Sequence, residues 1–144
     1  MDHKSEQILE LLRDNSRLSS REISRKTGIP LTTVHNRIKK MEEEGIIEKY
    51  SVEVNHEKLG LSLCGYVLCS IAHSIKKEVL WNELAEKIRK LGFVESVDVI
   101  TGEMDLMIKL RAKNIQQLNK ILMKDLRAIE GINDTTTMVV LEEV

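Results

Sequence analysis

The chain has 144 residues, 42% of them hydrophobic, 31% charged and only 3% aromatic, with a formal net charge of −1. That allows one ordinary domain or two small ones, with Leu, Ile and Val filling the interiors. No signal-peptide pattern and no apolar run of bilayer length stands in the sequence, so a cytoplasmic chain with no membrane partner is expected.

The first elements read as three helices. Asp2 suits the cap of a helix carrying Ile8, Leu9, Leu11 and Leu12 and ending near Asp14. Ser19 and Glu22 form a capping box, and Leu18 and Ile23 form the accompanying hydrophobic staple. Gly28 supplies the left-handed residue that ends this short second helix. Pro30 suits the first turn of a third helix, in which Leu31, Val34, Ile38 and Met41 recur at three- and four-residue steps to pack on the first two. Gly45 stops it.

This is the layout of a helix-turn-helix, whose second helix enters the DNA major groove. The charge agrees with it. Between Arg13 and Lys40 stand eight basic residues against two acidic ones, a net of +6, so the remainder carries −7. For nucleic-acid binding that distribution matters more than the total.

Tyr50, Val52 and Val54 alternate with polar residues, which predicts a strand running into a hinge at Asn55 to Gly60. The expected division is residues 1–49 for DNA binding, 50–61 for strand and linker, and 62–144 for a second domain. There the elements run as a strand from Cys64 to Ala72, a helix from Lys76 to Leu91, strands Val94 to Ile100 and Asp105 to Arg111, a helix begun by a second capping box at Asn114 and Gln117, and a strand from Thr135 to Leu141. Leu80, Leu84, Ile88 and Leu91 line the first of these helices; Ile115, Leu118, Leu122 and Ile129 line the second, which Gly131 stops.

Cys64 and Cys69 lie five positions apart on one strand and so on opposite faces, where they cannot pair. No His stands in a ligand spacing to either thiol, so buried, reduced cysteines are expected and no metal site. The order βαββαβ predicts an α+β chain: an N-terminal three-helix helix-turn-helix domain, then a ferredoxin-like domain with both helices on one sheet face. Leu106, Ile108 and Leu110 point to one face and Met107 to the other, so the face away from the helices is expected to be largely apolar and covered by a second copy, giving a homodimer.

Taken in order, the motifs Ile8-Leu9 with Leu12, Glu22-Ile23, Gly28-Ile29, Thr33-Val34, Arg37-Ile38, Glu44-Gly45-Ile46-Ile47, Leu59-Gly60, Thr101-Gly102-Glu103-Met104-Asp105 and Thr135-Thr136-Thr137-Met138 resemble the Lrp/AsnC (leucine-responsive regulatory protein / asparagine regulator) family of transcription regulators. The resemblance covers about Asp2 to Leu141. Three positions depart from its usual pattern: Ser5 stands in place of a second Asp, Pro30 in place of a capping Ser, and Met104 in place of an aromatic.

On the third helix, Thr32, Thr33, Asn36, Lys39 and Lys40 are expected to face outward, with His35 and Arg37 on the flanks. Asn36 suits a bidentate grip on adenine and Arg37 one on guanine, while His35 and the threonines suit base edges or thymine methyls. Lys39, Lys40, Arg21 and Arg25 suit phosphate. A symmetric dimer would present two such helices to a pseudo-palindromic double-stranded operator, its half-sites about one helical turn apart.

The resemblance implies that the second domain binds an amino acid or similar small metabolite between dimers, changing assembly or DNA affinity; assembly beyond the dimer, such as an octamer, stays open. Gly102 and Thr101 in the turn, Glu103 and Asp105 for an ammonium group, and Thr135 and Thr137 for hydroxyls from a neighbouring subunit are its candidate residues. The bland alternative is a hairpin turn that needs Gly beside ordinary strand threonines.

Two rival classes stand beside the regulator. An enzyme lacks support, since there is no phosphate loop or metal spacing, and His73 beside Ser74 has no orienting acid nearby in sequence. An architectural protein that coats DNA with little specificity is the stronger alternative.

Overall fold

The chain divides into two units, Met1–Val54 and Asn55–Val144. A computed structural model describes residues 1–72 and 78–143. His73, Ser74 and the helix start expected at Lys76 lie outside the described residues, as does the Leu80 side chain.

In the first unit α1 spans His3–Asp14, α2 Ser20–Thr27 and α3 Leu31–Glu43. The Asp2 carboxylate caps α1 by accepting the Ser5 N–H at 3.0 Å. Both halves of the Ser19–Glu22 box are made, with the Ser19 N–H donating to the Glu22 carboxylate at 2.8 Å. Gly28 ends α2 with φ +72°, a backbone region that side chains with a Cβ rarely adopt. Its N–H donates to the Ser24 carbonyl at 2.9 Å, and the Ser24 hydroxyl donates across the turn to the Ile29 carbonyl at 2.6 Å. The angle between α2 and α3 is therefore fixed by local hydrogen bonds and by the shared core of Ile8, Leu12, Ile23, Ile29, Val34 and Met41.

Three expectations fail in this unit. Pro30 stands one residue before α3 in extended backbone, not within its first turn, and provides no side-chain cap. Leu31, expected in the core, is 43% exposed. It sits about 60° round the helix from Val34, and core contact begins only at Val34. No strand forms over residues 50–54, where Tyr50, Val52 and Val54 are all at least half-exposed or nearly so. The alternation is present, but a strand needs a neighbouring ladder, and among the described residues this segment is tied only by Ser16 Oγ donating to the Ser51 carbonyl and Tyr50 donating to Glu42.

The second unit has β1 Leu63–Ile71, α4 Glu78–Arg89, β2 Val94–Val99, β3 Leu106–Ala112, α5 Ile115–Lys120 continuing as π-helical turns Ile121–Leu126, and β4 Ile132–Val139. The strands form an antiparallel sheet in the order β2-β3-β1-β4, as the βαββαβ pattern requires. The core lies on the helix side, where Val67, Cys69 and Ile71 of β1 and Leu106, Ile108 and Leu110 of β3 meet Leu84, Ile88, Leu118 and Leu126. Both cysteines are free and buried, and burial pushes the Cys69 thiol up to about 11.

Local details differ from expectation here as well. Asn114 caps α5 by accepting the Gln117 N–H at 2.9 Å, but the Gln117 side-chain Oε1 accepts the Lys113 N–H, so the reciprocal half of the box is displaced by one residue. Ile115, in the first turn of α5, is exposed. The helix gives way to turns after Leu126, before Gly131 is reached.

The sheet face away from the helices is not uniformly apolar. Tyr66, Leu68, Met107 and Met138 form its middle, but one end is an ion cluster. Arg111, only 7% exposed, donates to both oxygens of Glu143 at 2.6 and 2.8 Å and to Glu95 at 2.8 Å. Lys109 lies 3.3 Å from Glu95 and 3.6 Å from Glu143. Hydrogen bonds from Arg111 hold the Glu143 carboxyl below its usual range.

Candidate nucleic-acid interface

The outer side of α3 is where the expected DNA contacts gather. Thr32, His35, Asn36, Lys39 and Lys40 are exposed and Thr33 is half-buried. They stand there because Val34, Ile38 and Met41 hold the opposite side of the helix against the core. Arg21 and Arg25, with Lys26 beside them, are exposed on α2, which precedes α3 across the Gly28 turn. Apart from Leu31, the exposed surface of these two helices is polar or cationic over most of its length.

The lysines carry only light internal partners. Lys39 lies 3.6 Å from Glu43 and Lys40 3.6 Å from Glu44, each pair one helical turn apart and largely exposed. Exposed pairs of this kind contribute little, about 0.3–0.5 kcal/mol, so a phosphate can displace them readily. The acidic stretch Glu42–Glu44 closes the cationic surface at the end of α3.

Arg37 is the correction. Expected as a guanine reader, it is turned back from the exposed side and its η nitrogen donates to the Asp2 carboxylate and to the Ser5 hydroxyl, the latter at 2.8 Å. Its side chain is 28% exposed. Both bonds are made by the one nitrogen Nη1, which engages that side of the guanidinium within the protein. Arg37 instead fastens the start of α1 to α3. The Ser5 N–H and then Arg37 draw the Asp2 carboxyl down to about 2. No local pattern signals this pairing, because residues 2 and 37 meet only once the helices have packed. Ser5, one of the departures from the family pattern, supplies the second acceptor.

The second group of candidate residues is split. Thr101, Gly102 and Glu103 are exposed at the tip of the β2–β3 hairpin, which the Ile100 N–H closes by donating to the Asp105 carbonyl at 2.9 Å. Gly102 has φ +125°, so the turn itself calls for glycine; a Cβ there would meet nothing within 4 Å. Asp105 already has a partner: its carboxylate accepts the Ile71 N–H at 2.7 Å, where β1 is irregular, and its own N–H donates to the Cys69 carbonyl at 2.9 Å. Thr135 pairs with Cys69 and Thr137 with Val67, which puts both half-buried threonines on the helix-covered face of β4. Asp105 and Thr135 thus lie at the same end of the sheet, on either side of β1.

A groove of about 740 Å³ in the first unit runs between Leu9, Arg13 and Ser16 on one side and Ile47, Tyr50 and Val52 on the other. None of the expected DNA-contacting or ligand-contacting residues lines it. No helix among the described residues is long and apolar enough to cross a membrane.

Two family models match successive parts of the chain. The winged helix-turn-helix DNA-binding family matches residues 1–48, and the Lrp/AsnC ligand binding domain matches residues 67–144. An uncharacterised HTH-type transcriptional regulator of Pyrococcus furiosus is 40% identical over 96% of this chain and 91% of its own length. The HTH-type transcriptional regulator FL11 of the same organism is 34% identical over 99% of this chain and 90% of its own. Among solved structures, a transcriptional regulator of Neisseria meningitidis in complex with L-methionine superposes with a TM-score of 0.90 at 25% identity, covering 100% of this chain and 92% of that one. AsnC of Escherichia coli superposes with a TM-score of 0.84 at 26% identity, covering 99% and 93%. The matched families and relatives are transcriptional regulators, not enzymes.

Proposed function

The chain belongs to the Lrp/AsnC family of DNA-binding transcriptional regulators, and from that premise we propose that it recognises specific double-stranded operators in the cytoplasm as a homodimer, with its DNA affinity or assembly changed by an amino acid. The observation that carries the first part is the outer side of α3, where Thr32, His35, Asn36, Lys39 and Lys40 stand exposed on a helix anchored by its other side. Asn36 has the paired donor and acceptor that adenine requires, whereas the lysines and Arg21 and Arg25 supply sequence-independent attraction to phosphate. Two copies related by a two-fold axis would bind a pseudo-palindromic site.

The effector reading rests on membership of the ligand-binding family and on the Neisseria relative, whose structure holds L-methionine. In this chain Thr101, Gly102 and Glu103 are the residues of the hairpin free to meet such a ligand. Glu103 offers a carboxylate for an ammonium group. Asp105 serves instead to shape the turn, through its bond to the Ile71 N–H.

Selection of bound fragments from genomic DNA by the full chain, with and without each amino acid, tests both parts. Enrichment of pseudo-palindromic sites, altered by at least one amino acid, is the expected result. Retention of bulk DNA with no enriched sequence would replace the regulator with a DNA-coating protein, and enrichment indifferent to every amino acid would remove the effector. A larger assembly, such as an octamer, would appear as a change in sedimentation with the same ligand.

A further inference from the structure

Leu31 is a large apolar side chain that the fold leaves out of the core, at the N-terminal end of α3 and at the edge of its exposed polar surface. It is the first residue of α3, 43% exposed, and the other large apolar residues of that helix, Val34, Ile38 and Met41, are buried or packed against the core. His35, exposed, follows it by four residues and so lies on the same side of the helix. Thr32 and Asn36, one position after each of these, are exposed about 100° further round the helix, and Arg21 and Arg25 are exposed on α2.

A lone apolar group among cationic and amide side chains does not fit an apolar protein partner or a lipid surface, since both need contiguous apolar area. It does fit the major groove, where each A·T pair offers one apolar group, the C5 methyl of thymine. Position agrees, because the N-terminal residues of a recognition helix are those that contact base edges. Arg37, meanwhile, is engaged by Asp2 and Ser5 through Nη1.

We propose that Leu31 is a specificity-determining residue that packs on a thymine methyl in each operator half-site, from the edge of the α3 surface that carries the adenine-reading amide of Asn36. This rests on the proposed function, which it deepens by stating what the first turn of α3 reads.

The test uses the full chain and the duplex it enriches most strongly from genomic DNA. Each thymine in a half-site, together with its symmetry mate, is replaced in turn by deoxyuridine, which removes only the methyl group. At one position the unmodified chain is expected to lose about fourfold in affinity per half-site, the equivalent of one methyl group no longer buried. Leu31→Ala should show a similar loss on the thymine duplex and no further loss on the deoxyuridine one, while Leu31→Met should restore dependence on the methyl. Leu31 contributes little to the core, so the melting temperatures of both variants should stay close to that of the unmodified chain.

Affinity indifferent to deoxyuridine at every position, or an equal loss on deoxyuridine in the chain and in Leu31→Ala, would overturn the assignment while leaving the regulator reading intact. Failure of the chain to enrich any sequence would remove the regulator reading and this assignment with it.

Discussion

The exposed side of α3 and the tip of the β2–β3 hairpin were both expected to bind something, and they differ in how far their polar groups are already engaged. On α3 the amide of Asn36 and the hydroxyl of Thr32 stand exposed, and the lysines are held only by exposed pairs about one turn away. At the hairpin the most reactive-looking group, Asp105, is bonded to the backbone of β1 on one side and hydrogen-bonded through its own N–H on the other. A residue that meets a folding requirement is a poor guide to a ligand. The surface with unengaged groups is the stronger candidate for recognition, and the hairpin depends on Thr101, Gly102 and Glu103.

The largest expected effect is therefore on stability, at the hairpin. Asp105→Ala should destabilise the fold by about 2–3 kcal/mol in urea unfolding, because the Ile71 N–H is left without its partner. An unchanged midpoint would mean that Asp105 is free for a ligand after all, and the contrast between the two surfaces would narrow.

Asn36→Ala should leave stability unchanged but reduce discrimination between operator and random DNA by about 1–3 kcal/mol. Competition binding against random duplex measures this. Equal weakening on both duplexes would place Asn36 among the phosphate contacts.

Arg37→Ala should behave in the opposite way, lowering the midpoint of urea unfolding through the lost bond between α3 and the Ser5 and Asp2 acceptors, with operator preference retained. Relaxed preference at one guanine, with stability intact, would restore the base-reading role that the sequence suggested.

The same anchor has a pH signature. Asp2 has its carboxyl lowered from 3.8 to about 2 by the Ser5 N–H and by Arg37, so its contribution is fully present above 3.8 and is lost as pH falls through about 2. Asp2→Asn keeps the cap acceptor and should remove that part of the acid dependence; identical acid profiles for the two proteins would contradict the assignment. Smallest of all, Lys40→Ala should weaken binding to every sequence alike and reduce the slope of log affinity against log salt by about 1.

What was legible in the sequence follows the range of the interactions. The Ser19–Glu22 box, the Gly28 turn and the Asp2 cap depend on residues within a few positions of one another, and each formed as read. The βαββαβ order was legible because the apolar spacing marks each element and Gly and Asn mark the ends. The pairing of Arg37 was not legible because its partners lie 32 and 35 residues away. Leu31 was misread because periodicity says which side a residue is on, but not where along the helix the core begins. The alternation of Tyr50, Val52 and Val54 was real, yet alternation describes a strand's faces and cannot supply the neighbour to which it must bond. Ion cluster and apolar strip share one sheet face for a similar reason: Arg111, Glu95 and Glu143 come from three distant segments.

The central claim is that the exposed side of α3 reads DNA sequence, and a footprint of the full chain on its enriched operator, beside Asn36→Ala, tests it most directly. The account predicts discrete protected half-sites about one helical turn apart, blurred into weak general protection in the variant. Uniform protection of the whole fragment by both proteins, with no preferred register, would contradict it.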